Sequence, residues 1–169
     1  MTEDKAWQII ENINWPGGPD PDRVRQSIQD TYTLDEQSEL GEFVDEQWQR
    51  LYDAYYATEP PNRANHLADL DYATFEHIIG YGRRIYEAAL NDVSLVEKWR
   101  AIQDYDDDDP TVATDKSFYR CLPETADREQ IDAIMAAFTA APNGLIIDEV
   151  ADIVRQPISR VYRTMYLLR

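Results

Sequence analysis

The segment after Asp152 contains the residues whose types and spacing point most directly to a binding chemistry. Its seventeen residues include four arginines and no carboxylate, although the chain of 169 residues has a net charge of −17. Guanidinium, hydroxyl and phenol groups on one helix face are what a recognition helix presents to base edges and phosphates in a major groove. The candidate DNA contacts are Arg155, Ser159, Arg160, Arg163, Tyr166 and Arg169.

A helix over 157–168 is the element that must position these side chains. Helical spacing places Ser159, Arg160 and Arg163 on one side, with Tyr166 at the margin. The opposite side carries the apolar residues Ile158, Val161, Met165 and Leu168. Pro157 suits the first position of this helix, and a shorter helix over 147–155 is expected before it.

Residues 127–169 resemble a helix-turn-helix module of the winged-helix type that has no wing. The resemblance lies in Ala151, a small residue that allows close helix crossing, and in apolar positions that join the two helices. Those apolar positions are Val150, Val154, Val161 and Met165. The resemblance implies double-stranded DNA as a partner. Such modules usually have a glycine at the turn, and Arg155 in its place is expected to need another turn geometry. Contact with a protein and plain structural packing remain alternatives to DNA contact.

Three segments in the first part of the chain resemble an uncharacterised bacterial domain family. They are Trp7–Glu11, Phe43–Tyr55 and Phe75–Leu90. Members of that family begin with an aromatic-Trp-x-x-Ile-Asp/Glu helix and later carry a Gly-Arg-x-x-Tyr/Phe-Glu-Ala-Ala-Leu stretch. The resemblance implies an α-rich fold and a bacterial or archaeal origin, and it implies no activity.

The negative charge is concentrated in the first two thirds of the chain. Residues 1–110 contain 25 acidic and 9 basic residues, whereas 111–169 contain 8 and 7. Such a field repels phosphates, so it favours a basic protein surface or self-association over nucleic acid as the partner of this part. Only 3 of the 16 basic residues are lysine, and adaptation to a salt-rich cytoplasm is an open alternative explanation of the acidity.

Apolar spacing and helix-start signals predict an all-α fold: a helical bundle followed by a small three-helix module. Asp20 with Pro21 predicts one helix start, and the capping boxes Thr33–Glu36 and Ser94–Glu97 predict two more. Gly80 and Gly82 are expected to permit close helix contact. We expect an acidic body over 1–103, an acidic linker and connector over 104–122 that includes Asp104–Pro110, and the module over 123–169.

Two sets of aromatic and basic residues are candidates for a protein interface. The candidates are Tyr55, Tyr56, Tyr81, Arg83 and Arg84, because aromatic residues and arginine are enriched at interfaces. The alternative is that the tyrosines form a core-facing stripe and that the arginines extend along the apolar surface.

No pattern for catalysis, metal binding or a cofactor occurs in the sequence. His66 and His77 lack the helical spacing of a metal pair, and Cys121 is expected to be an inert thiol. A single cysteine, no signal peptide and no apolar run of membrane-spanning length together predict a cytoplasmic protein that does not enter the membrane.

These features predict a non-enzymatic regulatory or DNA-associated protein, with a role in transcription regulation. In this interpretation the acidic body binds a partner protein and the last helix contacts DNA. The alternative is an acidic interaction protein that binds a basic partner surface and never contacts DNA.

Overall fold

The computed structural model describes residues 1–57, 70–102, 118–123, 128–140 and 147–167. In these ranges every regular element is helical and no strand occurs, which confirms the all-α prediction. The α-helices are α1 (Glu3–Ile13), α2 (Pro21–Thr31), α3 (Leu34–Tyr56), α4 (Leu70–Gly80), α5 (Arg83–Asn91), α6 (Ser94–Ile102), α7 (Arg128–Ala140), α8 (Ile147–Val154) and α9 (Ile158–Leu167). Two 3-10 turns, Trp15–Gly17 and Phe118–Cys121, complete the described elements. No described helix has the length and apolarity needed to cross a membrane.

Two of the predicted helix starts are confirmed in atomic detail. The Asp20 carboxylate accepts the backbone N–H groups of Asp22 and Arg23 at 3.0 and 3.3 Å. Thr33 and Glu36 form both halves of the capping box at the start of α3. These contacts satisfy N–H groups that have no partner within the helix.

The helix start predicted at Ser94 is confirmed, since α6 begins at that residue. The Asp92 carboxylate, two positions earlier, accepts the backbone N–H and the hydroxyl of Ser94 at 3.2 and 2.7 Å. Glu97 accepts a hydrogen bond from the Tyr55 hydroxyl. The charged Asp92 carboxylate thus binds the first residue of α6.

Helix α3 is the centre around which the other helices pack. It contacts α1, α2, α4, α5 and α9. The indole of Trp48, near its middle, is fully buried and contacts the rings of Tyr52, Phe75 and Tyr162 at 5.4 to 5.7 Å. Since Tyr162 lies on α9, the last helix shares one hydrophobic core with the first half of the chain.

The 3-10 turn Phe118–Cys121 corrects part of the expected linker. Its residues Phe118, Tyr119 and Cys121 are fully buried, and the turn packs against α2, α4 and α9. The carboxylate of Glu76 on α4 accepts the backbone N–H of Tyr119 at 2.9 Å. Phe118, Tyr119, Cys121 and Leu122 are therefore part of the core. The acidic run Asp104–Pro110 lies outside the described residues.

Gly80 and Gly82 lie where the chain passes from α4 to α5. A Cβ atom at Gly80 would lie 2.7 Å from the indole of Trp15 and 3.0 Å from the Phe118 ring, which confirms the predicted close contact. Gly82, the N-cap of α5, has φ +95°, a conformation that side-chain-bearing residues rarely adopt.

Candidate functional site

The arginines of α9 are directed at helix α3. Nη2 of Arg163, a residue only 3% exposed, lies 2.9 Å from Oδ2 of Asp45. Nε of Arg160 lies 3.5 Å from the same oxygen, and its Nη2 lies 3.9 Å from Oε1 of Glu42. The side chain of Arg160 is 29% exposed. Both guanidinium groups are thus held by carboxylates of the chain itself.

The prediction of an exposed polar face on α9 is wrong for Ser159 and Arg163. Both are buried, as are Tyr162 and Thr164 on the same helix. The physical reason lies on α3, where Asp45 supplies a counter-charge and Trp48 a flat surface that stacks with Tyr162 at an interplanar angle of 23°. Burying a guanidinium requires such a paired carboxylate.

Arg155 occupies the turn between α8 and α9 and is exposed. It has φ 55°, the left-handed conformation that glycine would adopt there, and the next backbone N–H, that of Gln156, donates to the carbonyl of Ala151 at 3.1 Å. The expectation of another turn geometry is therefore wrong, and Arg155 carries the left-handed strain itself. Of the other candidate DNA contacts, the side chain of Tyr166 and all of Arg169 lie outside the described residues.

Asp45 is the residue of this site that sequence reasoning missed. It is buried on α3, and burial raises the pKa of its carboxyl while Arg163 and Arg160 lower it. A signal was present in the sequence: Asp45 follows Val44 and lies three positions before Trp48, within the apolar stripe of α3. A carboxylate at a core-facing position needs a cation, and the local pattern does not say which one.

The tyrosines that were candidates for a protein interface lie in the core. Tyr55 and Tyr56 are buried, and both rings contact Phe75. The neighbouring Tyr52 donates from its hydroxyl to Asp148 on α8 at 2.8 Å. The alternative of a core-facing stripe is confirmed for these residues, and their expected place at a surface interface is corrected.

The remaining interface candidates lie at the surface. The ring of Tyr81 is 4.7 Å from that of Trp99, and Arg84 is exposed. Arg83 forms ion pairs at 2.8 Å with Asp4 and at 2.7 Å with Glu87, so it connects α1 and α5. A role of these three residues in partner contact stays a prediction.

The histidines and the single cysteine of the described part of the chain do not take part in a metal-binding cluster. No cluster of three potential metal ligands occurs among those residues. His77 lies against the Trp15 ring, at 5.6 Å between centroids, and His66 is outside the described residues. Burial, followed by the charge of Glu76, raises the pKa of the Cys121 thiol to about 12, so it stays protonated and unreactive.

A row of exposed carboxylates runs along the solvent face of α3. We call Asp35, Glu39, Glu42, Glu46 and Asp53 the α3 acidic row; all five are exposed. Their spacing keeps them on one face, because 18 residues complete five helical turns, and the row extends for about 27 Å. Glu39 binds the N-terminal ammonium and Glu42 lies near Arg160, whereas Asp35 and Glu46 have no ion pair among the described residues.

No family model, curated protein or solved structure matches this chain. The resemblances of 127–169 to a helix-turn-helix module and of the first part to a bacterial domain family therefore stay predictions.

Proposed function

We propose that this protein is a non-enzymatic interaction protein that binds a basic partner protein through the α3 acidic row and does not itself contact DNA. The observation that carries this proposal is the direction of Arg160 and Arg163. Both are turned onto α3, where they pair with Asp45 and Glu42. Two of the four arginines after Asp152 are thus paired within the chain, whereas Arg155 stays exposed.

The geometry of the α3 acidic row supports a partner with an extended basic surface. Five exposed carboxylates on one helix face produce a local negative potential in addition to the overall charge of −17. Complementary potentials accelerate association and make it sensitive to salt. Lysine and arginine side chains on a helix or strand of the partner can reach several of these carboxylates at once.

The test is a titration of a labelled lysine- and arginine-rich helical peptide with the full-length protein at low salt. Glu39→Gln/Glu42→Gln/Glu46→Gln removes three charges from the row and should weaken binding by at least about tenfold. Asp30→Asn/Asp132→Asn/Asp152→Asn removes three exposed charges elsewhere and should weaken it by less than about threefold. An equal loss in both variants would mean that only net charge matters, and the proposal would fail.

A DNA-associated function through the C-terminal helices is the second candidate. It is favoured by the exposure of Arg155 in the short turn between α8 and α9. Binding of a random-sequence duplex at low salt, lost in Arg155→Glu, would support this candidate and contradict the first. We expect no measurable duplex binding by the unmodified protein, because its net charge repels phosphates.

A further inference from the structure

Three buried polar side chains lie on α3, on the 3-10 turn Phe118–Cys121 and on α9, the helix that contacts both. They are Asp45, Tyr119 and Ser159. Oδ1 of Asp45, the hydroxyl of Tyr119 and the hydroxyl of Ser159 have no hydrogen-bond partner among the residues that the structure describes. Buried polar atoms nearly always have a partner, either protein or ordered water, because burial removes their hydrogen bonds to solvent.

The contacts of α9 bring these three groups into one region. Arg163 reaches Asp45, and the ring of Tyr162 lies 5.9 Å from the ring of Tyr119. Ser159 lies one turn earlier on the same helix. With 3.6 residues per turn, its side chain projects between the directions of Tyr162 and Arg163. Ser159 therefore lies on the face of α9 that also carries Tyr162 and Arg163.

The chemistry of the three groups is complementary but none of them bonds another directly. Burial, with the nearby negative charges of Asp45 and Glu76, raises the pKa of the Tyr119 hydroxyl well above its ordinary value, so the group is a hydrogen-bond donor. Oδ1 of Asp45 offers lone pairs, and a serine hydroxyl both donates and accepts. A ligand between them has to accept from the tyrosine and donate to the carboxylate.

We propose that an ordered water molecule binds here, accepting from the Tyr119 hydroxyl and donating to Oδ1 of Asp45, with the Ser159 hydroxyl as its third partner. Three hydrogen bonds are typical of a buried water molecule. This site is independent of partner binding by the α3 acidic row. It connects the 3-10 turn to α3 and α9, which Arg163 and Asp45 already join directly, and so helps to fix α9 on α3.

The first test measures urea unfolding of Tyr119→Phe, Ser159→Ala and the double variant. Each single change removes one bond to the water and should raise the unfolding equilibrium constant by about tenfold. The double variant should cost little more than the larger single change, because both hydroxyls bind the same water. The control Ser27→Ala, on the exposed surface of α2, should change the constant by less than about twofold.

Two results of this measurement would overturn the proposal. A hydroxyl that is buried without any partner is a net cost, so its removal would lower the unfolding constant. Fully additive losses in the double variant would mean that the two hydroxyls act separately. A second measurement detects the water itself: oxygen-17 magnetic relaxation dispersion should count one long-residence water fewer in Tyr119→Phe than in the unmodified protein. An unchanged count would contradict the assignment.

Discussion

Asp45 is a single carboxylate that receives both guanidinium groups of α9. Removing a carboxylate from water is costly, and the cost is offset only when hydrogen bonds and counter-charges replace the solvent. The buried Arg163 supplies a hydrogen bond and a counter-charge, with its Nη2 at 2.9 Å from Oδ2 of Asp45. The partly exposed Arg160 adds a second positive charge, with its Nε at 3.5 Å from the same oxygen. Because the pair is buried, the loss of one partner leaves the other charge without compensation.

We predict that Arg163→Met and Asp45→Asn each lower the free energy of unfolding by about 3–5 kcal/mol, whereas the double variant Asp45→Leu/Arg163→Met recovers most of that loss. The free energy of unfolding is measured by chemical denaturation of the unmodified protein, the two single variants and the double variant. The matched control is Arg128→Met, which breaks the exposed pair with Asp132 and should cost less than about 0.5 kcal/mol. Additive losses in the double variant would contradict the coupling.

The pKa of the Asp45 carboxyl determines how the destabilisation caused by Arg163→Met changes with pH. Its pKa is already raised by burial, and removing Arg163 raises it further. A carboxyl with a raised native pKa loses stability as the pH rises from its unfolded pKa through its native pKa. The cost of Arg163→Met should therefore be smaller at a pH of about 4 than at pH 7, because Asp45 can bind a proton at the lower value. An equal cost at both values would contradict a charged Asp45.

The turn between α8 and α9 determines the direction in which the last helix leaves its predecessor. Arg155 provides this turn with φ 55°. For an L-residue the left-handed conformation brings Cβ close to the following carbonyl oxygen. The packing of α9 on α3 and α8 compensates for that strain. The strain arises from the backbone conformation of the turn and not from a contact of the Arg155 guanidinium.

We predict that Arg155→Gly raises the free energy of unfolding by about 0.5–1 kcal/mol, since relief of strain exceeds the entropic cost of glycine. Thermal unfolding is the measurement. Asn14→Gly is the control, because Asn14 has nearly the same φ, 53°, and asparagine tolerates this region. The gain should be smaller at position 14. A loss of stability at position 155 would mean that the Arg155 side chain makes a stabilising contact.

The charge of the whole molecule affects its stability as well as its choice of partner. At a net charge of −17 the folded chain repels itself. Exposed ion pairs such as those of Arg83 offset little of this repulsion, because solvent screens them. Added salt screens the repulsion over distances longer than about 10 Å at 0.1 M.

We predict that raising NaCl from about 0.01 M to about 0.15 M at pH 7 increases the melting temperature by several degrees. The increase should disappear near the isoelectric point and should be smaller in Glu39→Gln/Glu42→Gln/Glu46→Gln. A melting temperature that falls with salt would mean that attractive ion pairs dominate. A gain that continues into molar salt would support the interpretation of the acidity as adaptation to a salt-rich cytoplasm.

The helical elements could be predicted from the sequence because their signals are local. The start of α2 at Pro21 and the capping box of α3 depend on residues within one turn of each other. The last two helices, expected over 147–155 and 157–168, are observed as Ile147–Val154 and Ile158–Leu167. The role of Tyr119 could not be predicted in this way, since its burial depends on α2, α4 and α9 together.

The sequence by itself determined the helical class, the caps of α2 and α3, and two distinct faces of α9. Only the tertiary structure decided which way those faces point. Arg163 and its partner Asp45 are separated by 118 positions. Helical periodicity describes only neighbouring residues, so it cannot predict a charge pair so distant along the chain. A face of serine and arginine suits a phosphate backbone and a buried carboxylate equally well. The Asp45 carboxylate of α3, which the fold holds next to α9, decided between them.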